Sequence, residues 1–508
     1  MNAPLPECYL TQPRARRRRW LTPFAIAALV AVQLLVLALW EMRESRLQAY
    51  FFSHYAKTAA WQMQPGLAGN LWLPADGPYP TRLGYTRIGG IVPRLTASGF
   101  EVTAQARQSA RFREIVDGGF NPIYQEKAQA GLTIYDRHQQ VIYSSRYPQY
   151  QYTRFENIPD LLVGALLFIE NRELLDDDRE RSNPAVDWGR LARAAAGQGL
   201  RQLHLGRGRA GGSTLATQME KFRYSPGGRT QDADDKLRQM ISASLRAYRE
   251  GPDTLGVRRQ IVLDYLNSVP LGGVPRYGEV NGIGDGLWAW FGADFATVNR
   301  LLSDSEAPVE ARARAFKQGL MLLVAQRRPS GMLSDRDGSS GLEKLTDSYL
   351  RLLRDDGLIS EAMMQAALRF KLAPTGAPPL ERVASFVDRK AVNEIRGTLG
   401  ELLAVPDLYE LDRFDLDVDS SFDGAAQNAV TALLGRLASP EFIRCAGLRA
   451  ERMLGRGDPR EVNYSVTLYE STPLGNRLRV QADNLNQPLD INAGTKLDLG
   501  SSAKLRTL

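Results

Sequence analysis

The stretch Arg207–Lys221, RGRAGGSTLATQMEK, runs from arginines and glycines straight into a helical pattern, and whether it cradles a nucleotide phosphate decides what fold surrounds it. Gly206, Gly208 and Gly211 fit G-x-G-x-x-G, but that loop follows a β-strand, and the preceding RLARAAAGQGLRQLHL reads as helix and loop. Gly206–Ser213 approaches a P-loop, yet Gly212 stands where the phosphate-binding lysine belongs. Both nucleotide readings fail on context. What remains is a glycine turn, Ser213 as N-cap, and a helix N-terminus offering free backbone N–H groups. Thr214, Gln218 and Lys221 form a polar row at i, i+4 and i+7, beside an apolar row of Leu215, Met219 and Phe222. An ordinary capped surface helix has the same pattern, so the rest of the chain must separate the two.

At 508 residues, 44% hydrophobic and 24% charged, the chain is long and apolar enough for more than one core. Phe24–Trp40, FAIAALVAVQLLVLALW, is 17 residues without charge, and Arg14, Arg16, Arg17, Arg18 and Arg19 precede it. That predicts a membrane anchor with a cytoplasmic N-terminus. A cleaved signal peptide is the competing reading, against which LALWEMRESR offers no small-x-small cleavage site. Of the net charge of +7, residues 1–40 hold +4 and leave +3 beyond the membrane, so no basic domain points to nucleic acid. Cys8 and Cys445 fall on opposite sides of the bilayer, and no disulfide between them is expected. His54, His138 and His204 lie far apart without metal-ligand spacing. Chemistry must rest on carboxylates, Ser, Lys and Arg.

Along the chain, residues 1–22 form a basic tail, 23–41 the transmembrane anchor, and 42–129 a juxtamembrane stalk or small irregular module without a long period. From Ala130, AGLTIYDRHQQVIYSS alternates around a polar turn, a hairpin signal. Segments such as IPDLLVGALLFIENRELL, VDWGRLARAAAGQ, DDKLRQMISASLRAY, RRQIVLDYLNSV and ARAFKQGLMLLVAQ then carry i, i+3, i+4 apolar spacing. This predicts a mainly α domain over 130–375, hairpin included. The Pro-rich KLAPTGAPPLERV closes it, and 376–508 reads as a linker and an α+β region.

The helical domain resembles the family 51 glycosyltransferases, the peptidoglycan polymerases at the N-terminal half of class A penicillin-binding proteins. ALLFIENRELL stands where that family has an Ala-rich helix ending in Glu-Asp-x-x-Phe, and GGSTLATQMEK where it has Gly-Gly-Ser-Thr-x-Thr-Gln-Gln-x-x-Lys. DDKLRQ stands for Arg-Lys-x-x-Glu, RRQIVLDYLNSVPLG for the Ile-Leu-x-x-Tyr-Leu-Asn element, and YGEVNGIGDGLWAWFG for the Gly-rich element that follows. The tail LDLGSSAKLRTL looks like the Ser-x-x-Lys turn of penicillin-binding transpeptidases, with Ser501 as acyl nucleophile and Lys504 its partner. Only four residues follow Lys504, so the later Ser-x-Asn and Lys-Thr-Gly elements are lacking, the domain reads as incomplete, and transpeptidase activity is not expected.

The resemblance implies a lysozyme-like glycosyltransferase that polymerises lipid-linked disaccharide-peptide (lipid II) into glycan strands and releases undecaprenyl pyrophosphate. It implies Glu170, which closes an apolar segment, as general base. The sugars and pyrophosphate then fall to Gly211, Gly212, Ser213, Thr214, Gln218, Lys221, Arg229, Lys236 and Asn267. It also admits a bound Mg²⁺ without a dedicated ligand motif, the nascent strand and other cell-wall synthesis proteins as partners, and a single-pass place in the bacterial inner membrane. The chain departs from the family pattern at the site. Asn171, Leu174 and Asp177 replace the family Asp, Phe and His, Ala216-Thr217 replaces Thr-Gln, and Gln239 stands where the second carboxylate belongs. Asp235 shares a helical stripe with Gln239, one turn earlier, and is the candidate to supply that missing charge; a solvated helix-end acid is the plainer reading. Two alternatives stay open: a catalytically impaired homologue that binds lipid precursor as a scaffold, and a glycosidase using Glu170 as acid. The basic donor wall argues against the glycosidase, since a neutral leaving group needs no pyrophosphate clamp.

Overall fold

The computed structural model describes residues 18–191, 213–335, 341–376, 390–450, 453–473 and 475–485, with the backbone alone described for 18–25. The apolar run near the N-terminus lies inside one helix, α1 (Arg18–Glu44), whose stretch Ile26–Glu44 is the only one among the described residues long and apolar enough to cross a bilayer. At a rise of about 1.5 Å per residue this helix outreaches a hydrocarbon core of about 30 Å. Helix α2 (Arg46–Ala56) follows after a single residue.

The juxtamembrane segment, read from sequence as a stalk or irregular module, has its own packing. Strands β1 (Trp61–Pro65) and β2 (Ala104–Gln108) pair antiparallel, and helix α3 (Ala110–Asp117) follows. Ala56, Ala59, Phe112, Ile115, Val116 and Ile123 close around Leu245 of the helical domain. The short pieces lack a long period because each buries only a few side chains against a partner distant in sequence.

The hairpin forms as β3 (Leu132–Tyr135) and β4 (Val141–Ser144). Beyond it lie α4 (Asp160–Glu170), α5 (Leu215–Tyr224), α6 (Ala233–Ala247), α7 (Leu255–Ser268), α8 (Gly282–Phe291), α9 (Val309–Ala325), α10 (Leu342–Asp355) and α11 (Glu361–Arg369). Of the VDWGRLARAAAGQ helix, the part from 192 onward lies outside the described residues. The domain is mainly α, and α9 runs through its core, packed by α4, α8, α10 and α11. Gly319 of α9 lets α4 approach, since a Cβ there would lie 2.7 Å from Leu162 Cδ2. Helix α4 is thereby fixed against the core, and with it the residue at its end.

The hairpin was expected within the helical domain. Its strand β3 instead pairs in parallel with β5 (Leu416–Asp419), giving the order β4-β3-β5. Leu132 and Ile134 join Val392 and Ile395 of α12 (Lys390–Leu403), with Phe414 and Phe422, in a second core. Two inward-facing residues per strand bury more surface in a three-stranded sheet than in an isolated hairpin. The α+β region continues with α13 (Gly424–Leu437) packed on the antiparallel pair β6 (Ser465–Thr472) and β7 (Gly475–Asp483).

Candidate active site

Helix α4 is apolar through Leu161, Leu162, Val163, Ala165, Leu166 and Ile169, all buried, and ends at Glu170 because Asn171 leaves helical geometry at φ −163°, ψ 87°. Glu170 is 7% exposed. Gln218 Nε2 donates to its Oε2 at 2.7 Å and Gln326 Nε2 to its Oε1 at 2.8 Å. Arg327 Nη2 stands 3.9 Å from Oε1. The Tyr265 hydroxyl faces the oxygens of both amides, 3.2 Å from Gln218 Oε1 and hydrogen-bonded to Gln326 Oε1. Burial and the Glu170 charge raise the Tyr265 phenol well above its ordinary range, so it stays a donor. One hydroxyl on the amide oxygens and one carboxylate on the amide nitrogens fix how both glutamines point. The carboxylate is therefore held from two sides.

The polar row of α5 lies beside it, shifted by one cap position. Thr214, not Ser213, is the N-cap, because Thr214 and Thr217 exchange side-chain and backbone hydrogen bonds in a capping box. Ser213 Oγ accepts instead from Lys236 Nζ at 2.9 Å, and Thr217 Oγ1 lies 3.3 Å from the same ammonium. Burial and the nearby Lys221 charge push Lys236 down to about 8, with Asp235 opposing. Burial also lowers Lys221, against the pull of Glu170. Two half-buried ammonium groups thus stand near each other, one of them within the field of Glu170, an arrangement that favours an additional anion.

The expected stripe on α6 is buried rather than solvated: Asp235 is 8% and Gln239 1% exposed, whereas Leu237, on another face of the helix, is exposed. Asp235 accepts from Ser225 Oγ at 3.2 Å, from Gln231 N at 3.1 Å and from Gln239 Nε2 at 3.2 Å. Gln239 Nε2 also lies within hydrogen-bond reach of Ser225 Oγ at 3.0 Å and Thr230 Oγ1 at 3.1 Å, sharing its two hydrogens among these acceptors. The pair clasps the turn that carries Arg229, which is itself exposed. Asn267 is also taken up locally: its side chain accepts from Tyr152 N and donates to Tyr152 O, both at 2.8 Å, pinning the chain after the hairpin instead of reaching Glu170. Gly211, Gly212, Ser501 and Lys504 lie outside the described residues.

Among the described residues no group of three His, Cys, Asp or Glu side chains could hold a metal ion. Asp235 already accepts three hydrogen bonds and Gln239 is neutral, so this donor set does not fit a protein-held Mg²⁺.

Gln326, Arg327, Tyr265 and Arg258 were not singled out from sequence. Arg258, 1% exposed, donates to the carbonyls of Leu174, Asp176 and Arg179 at 3.0, 3.0 and 2.9 Å and so holds the segment that follows Glu170. Tyr265 and Arg258 belong to the RRQIVLDYLN element, and the available signal for Gln326 and Arg327 was the polar triplet QRR closing the apolar LMLLVA. A cavity of about 580 Å³ opens between Leu39, Met42 and Arg43 near the C-terminal end of α1 and Asn171, Arg172 and Leu174, which follow Glu170.

No curated protein matches the chain. Residues 138–341 match the family described as Transglycosylase, a stretch that includes Glu170, Gln218, Lys221, Lys236, Tyr265 and Gln326. Over those residues the chain is similar to the transglycosylase family, a match that supports peptidoglycan glycosyltransferase activity in general.

Proposed function

We propose that the protein polymerises lipid II into glycan strands at the outer face of the cytoplasmic membrane, with Glu170 as general base. The observation that carries this reading is the amide grip of Gln218 and Gln326 on Glu170, with half-buried Lys221 in its field and Lys236 next to Lys221. The acceptor sugar's 4-hydroxyl gives its proton to the Glu170 carboxylate, and its oxygen attacks the anomeric carbon at the reducing end of the growing strand. The bond to the pyrophosphate oxygen breaks with inversion, and undecaprenyl pyrophosphate leaves with the electron pair. Lys221 and Lys236 stabilise the charge that develops there, and Ser213, hydrogen-bonded to Lys236, orients it. The anchor keeps the enzyme in the layer that holds the prenyl tail.

A second reading, a lipid-precursor-binding scaffold, is favoured by one observation: Gln239 is neutral where the family pattern has a carboxylate, and its amide is engaged in the Asp235 clasp. Detergent-solubilised full chain incubated with labelled lipid II decides between them. Labelled strands support polymerisation; retention of label without strands supports the scaffold.

A further inference from the structure

Helix α2 has two unlike faces. Ala49 and Ala56 are buried, and Phe52 stacks on Tyr248 of the helical domain with ring centroids 6.0 Å apart. Leu47, Tyr50 and Phe51 are 59%, 65% and 65% exposed and lie at i, i+3 and i+4 on the other face. Between Arg46 and Ala56 there is no acidic residue. Such a patch of large apolar side chains calls for a partner.

The elbow before α2 says which. Ser45 adopts φ 52°, ψ 31°, and the chain turns so sharply that Glu41 of α1 caps the next helix: its carboxylate accepts from Leu47 N and Gln48 N, both at 2.9 Å. The first turn of α2 is therefore level with Glu41 and its neighbour Trp40, not a turn farther from the bilayer. Trp40 is the exposed aromatic at the outer end of the spanning stretch, and the Arg46 guanidinium stands 5.0 Å from its ring. Trp with Arg at such a position marks the headgroup level. The elbow is locked to the helical domain: Asn183 N donates to Ser45 Oγ at 3.3 Å, and Asn183 Nδ2 donates to Gln48 Oε1 and Ser244 Oγ, both at 3.0 Å.

We propose that the Leu47–Tyr50–Phe51 face docks into the headgroup–acyl boundary of the outer leaflet, making α2 an interfacial helix that, through Asn183, sets the height of the catalytic domain above the membrane. The proposal rests on α1 as the membrane anchor. A face continuous with a spanning helix and free of acids has the bilayer as its nearest apolar partner.

The test uses the full chain with Cys8→Ser and Cys445→Ser, in nanodiscs of phosphatidylethanolamine and phosphatidylglycerol. Single nitroxide labels are placed through Leu35→Cys, Tyr50→Cys, Phe51→Cys and Leu352→Cys, all at exposed positions. Collision of each label with oxygen and with a water-soluble nickel chelate is then measured. Expected is an oxygen-to-nickel ratio at 50 and 51 several-fold above that at 352, and below that at 35. Ratios at 50 and 51 equal to that at 352, with 35 in lipid, overturn the interfacial helix while leaving the anchor intact. A water-like ratio at 35 overturns the anchor and the docking with it.

Discussion

Glu170 and Asp235 are both buried acids accepting amide hydrogen bonds, yet they are built in opposite ways. The donors on Glu170 come from Gln218 and Gln326, 48 and 156 residues away, at the meeting of α4, α5 and the end of α9. Those on Asp235 come from Ser225, Gln231 and Gln239, none more than 10 residues away. Glu170 is held by the assembled domain; Asp235 closes a local turn. A carboxylate gripped through several helices is oriented toward something outside them, whereas one satisfied by its own turn contributes to that turn's stability.

The largest test of this contrast is Glu170→Gln. Removal of a general base lowers strand formation by about a hundredfold or more while lipid II binding stays within about twofold. Unchanged turnover in a polymerisation assay would take Glu170 out of the chemistry.

Gln239→Glu tests the other side. Its amide now donates to Asp235 at 3.2 Å, so a carboxylate in its place sets two buried negative charges against each other. Unfolding stability drops by about 3 kcal/mol in a denaturant titration, the usual scale of an uncompensated buried charge, with no gain in turnover. Asp235→Asn likewise loses stability, by about 1–3 kcal/mol, with turnover within about twofold. If instead Asp235→Asn abolishes strand formation and Gln239→Glu raises it, Asp235 acts at the ligand and the contrast fails.

Gln326→Ala sharpens the Glu170 side. Loss of one orienting amide lowers kcat by about tenfold with KM little changed, as for a group that positions the base rather than binding substrate. A rise in KM alone would make Gln326 a substrate contact.

The smallest effect concerns Lys236. Its pKa lies near 8 in the free site, and a pyrophosphate group that pairs with it raises that value, so binding takes up a proton above pH 8. Affinity for lipid II in calorimetry therefore falls about three- to tenfold between pH 7 and pH 9. Lys236→Arg, which keeps its charge, loses that slope. For the unliganded fold the sign is opposite: between about 8 and the ordinary 10.5 the unfolded chain binds the proton more tightly, so stability rises with pH there. A pH-independent affinity in the wild type would remove Lys236 from the anion site.

Much of the site was legible because its elements are periodic. The row Thr214, Gln218, Lys221 lies on one helix, so spacing alone put Gln218 and Lys221 on a shared face. The cap falls one residue later than expected because Ser and Thr both cap helices and Ser is by itself the stronger; the reciprocal bond with Thr217 selects Thr214. The Asp235 stripe was correctly grouped and wrongly exposed, since periodicity tells which residues share a face but not which face is covered. Asn267 carried its place in the YLN element, but nothing local shows that Tyr152 takes up its amide.

The sequence by itself determined what local physics controls: an apolar run of membrane-spanning length, helices set by a 3.6-residue period, the β3–β4 hairpin with its polar turn, and an α4 that delivers Glu170 at its end. Only the tertiary structure decided that Gln326 and Tyr265 meet beside Glu170, that Arg258 grips the segment after it, that Asn183 holds the elbow before α2, and that β3 takes β5 as its second neighbour. The reason is one of range. Propensity and capping act within about ten residues and leave a mark in the sequence there, whereas these contacts join elements brought together by burial of apolar surface, which is non-directional and carries no address for its partner.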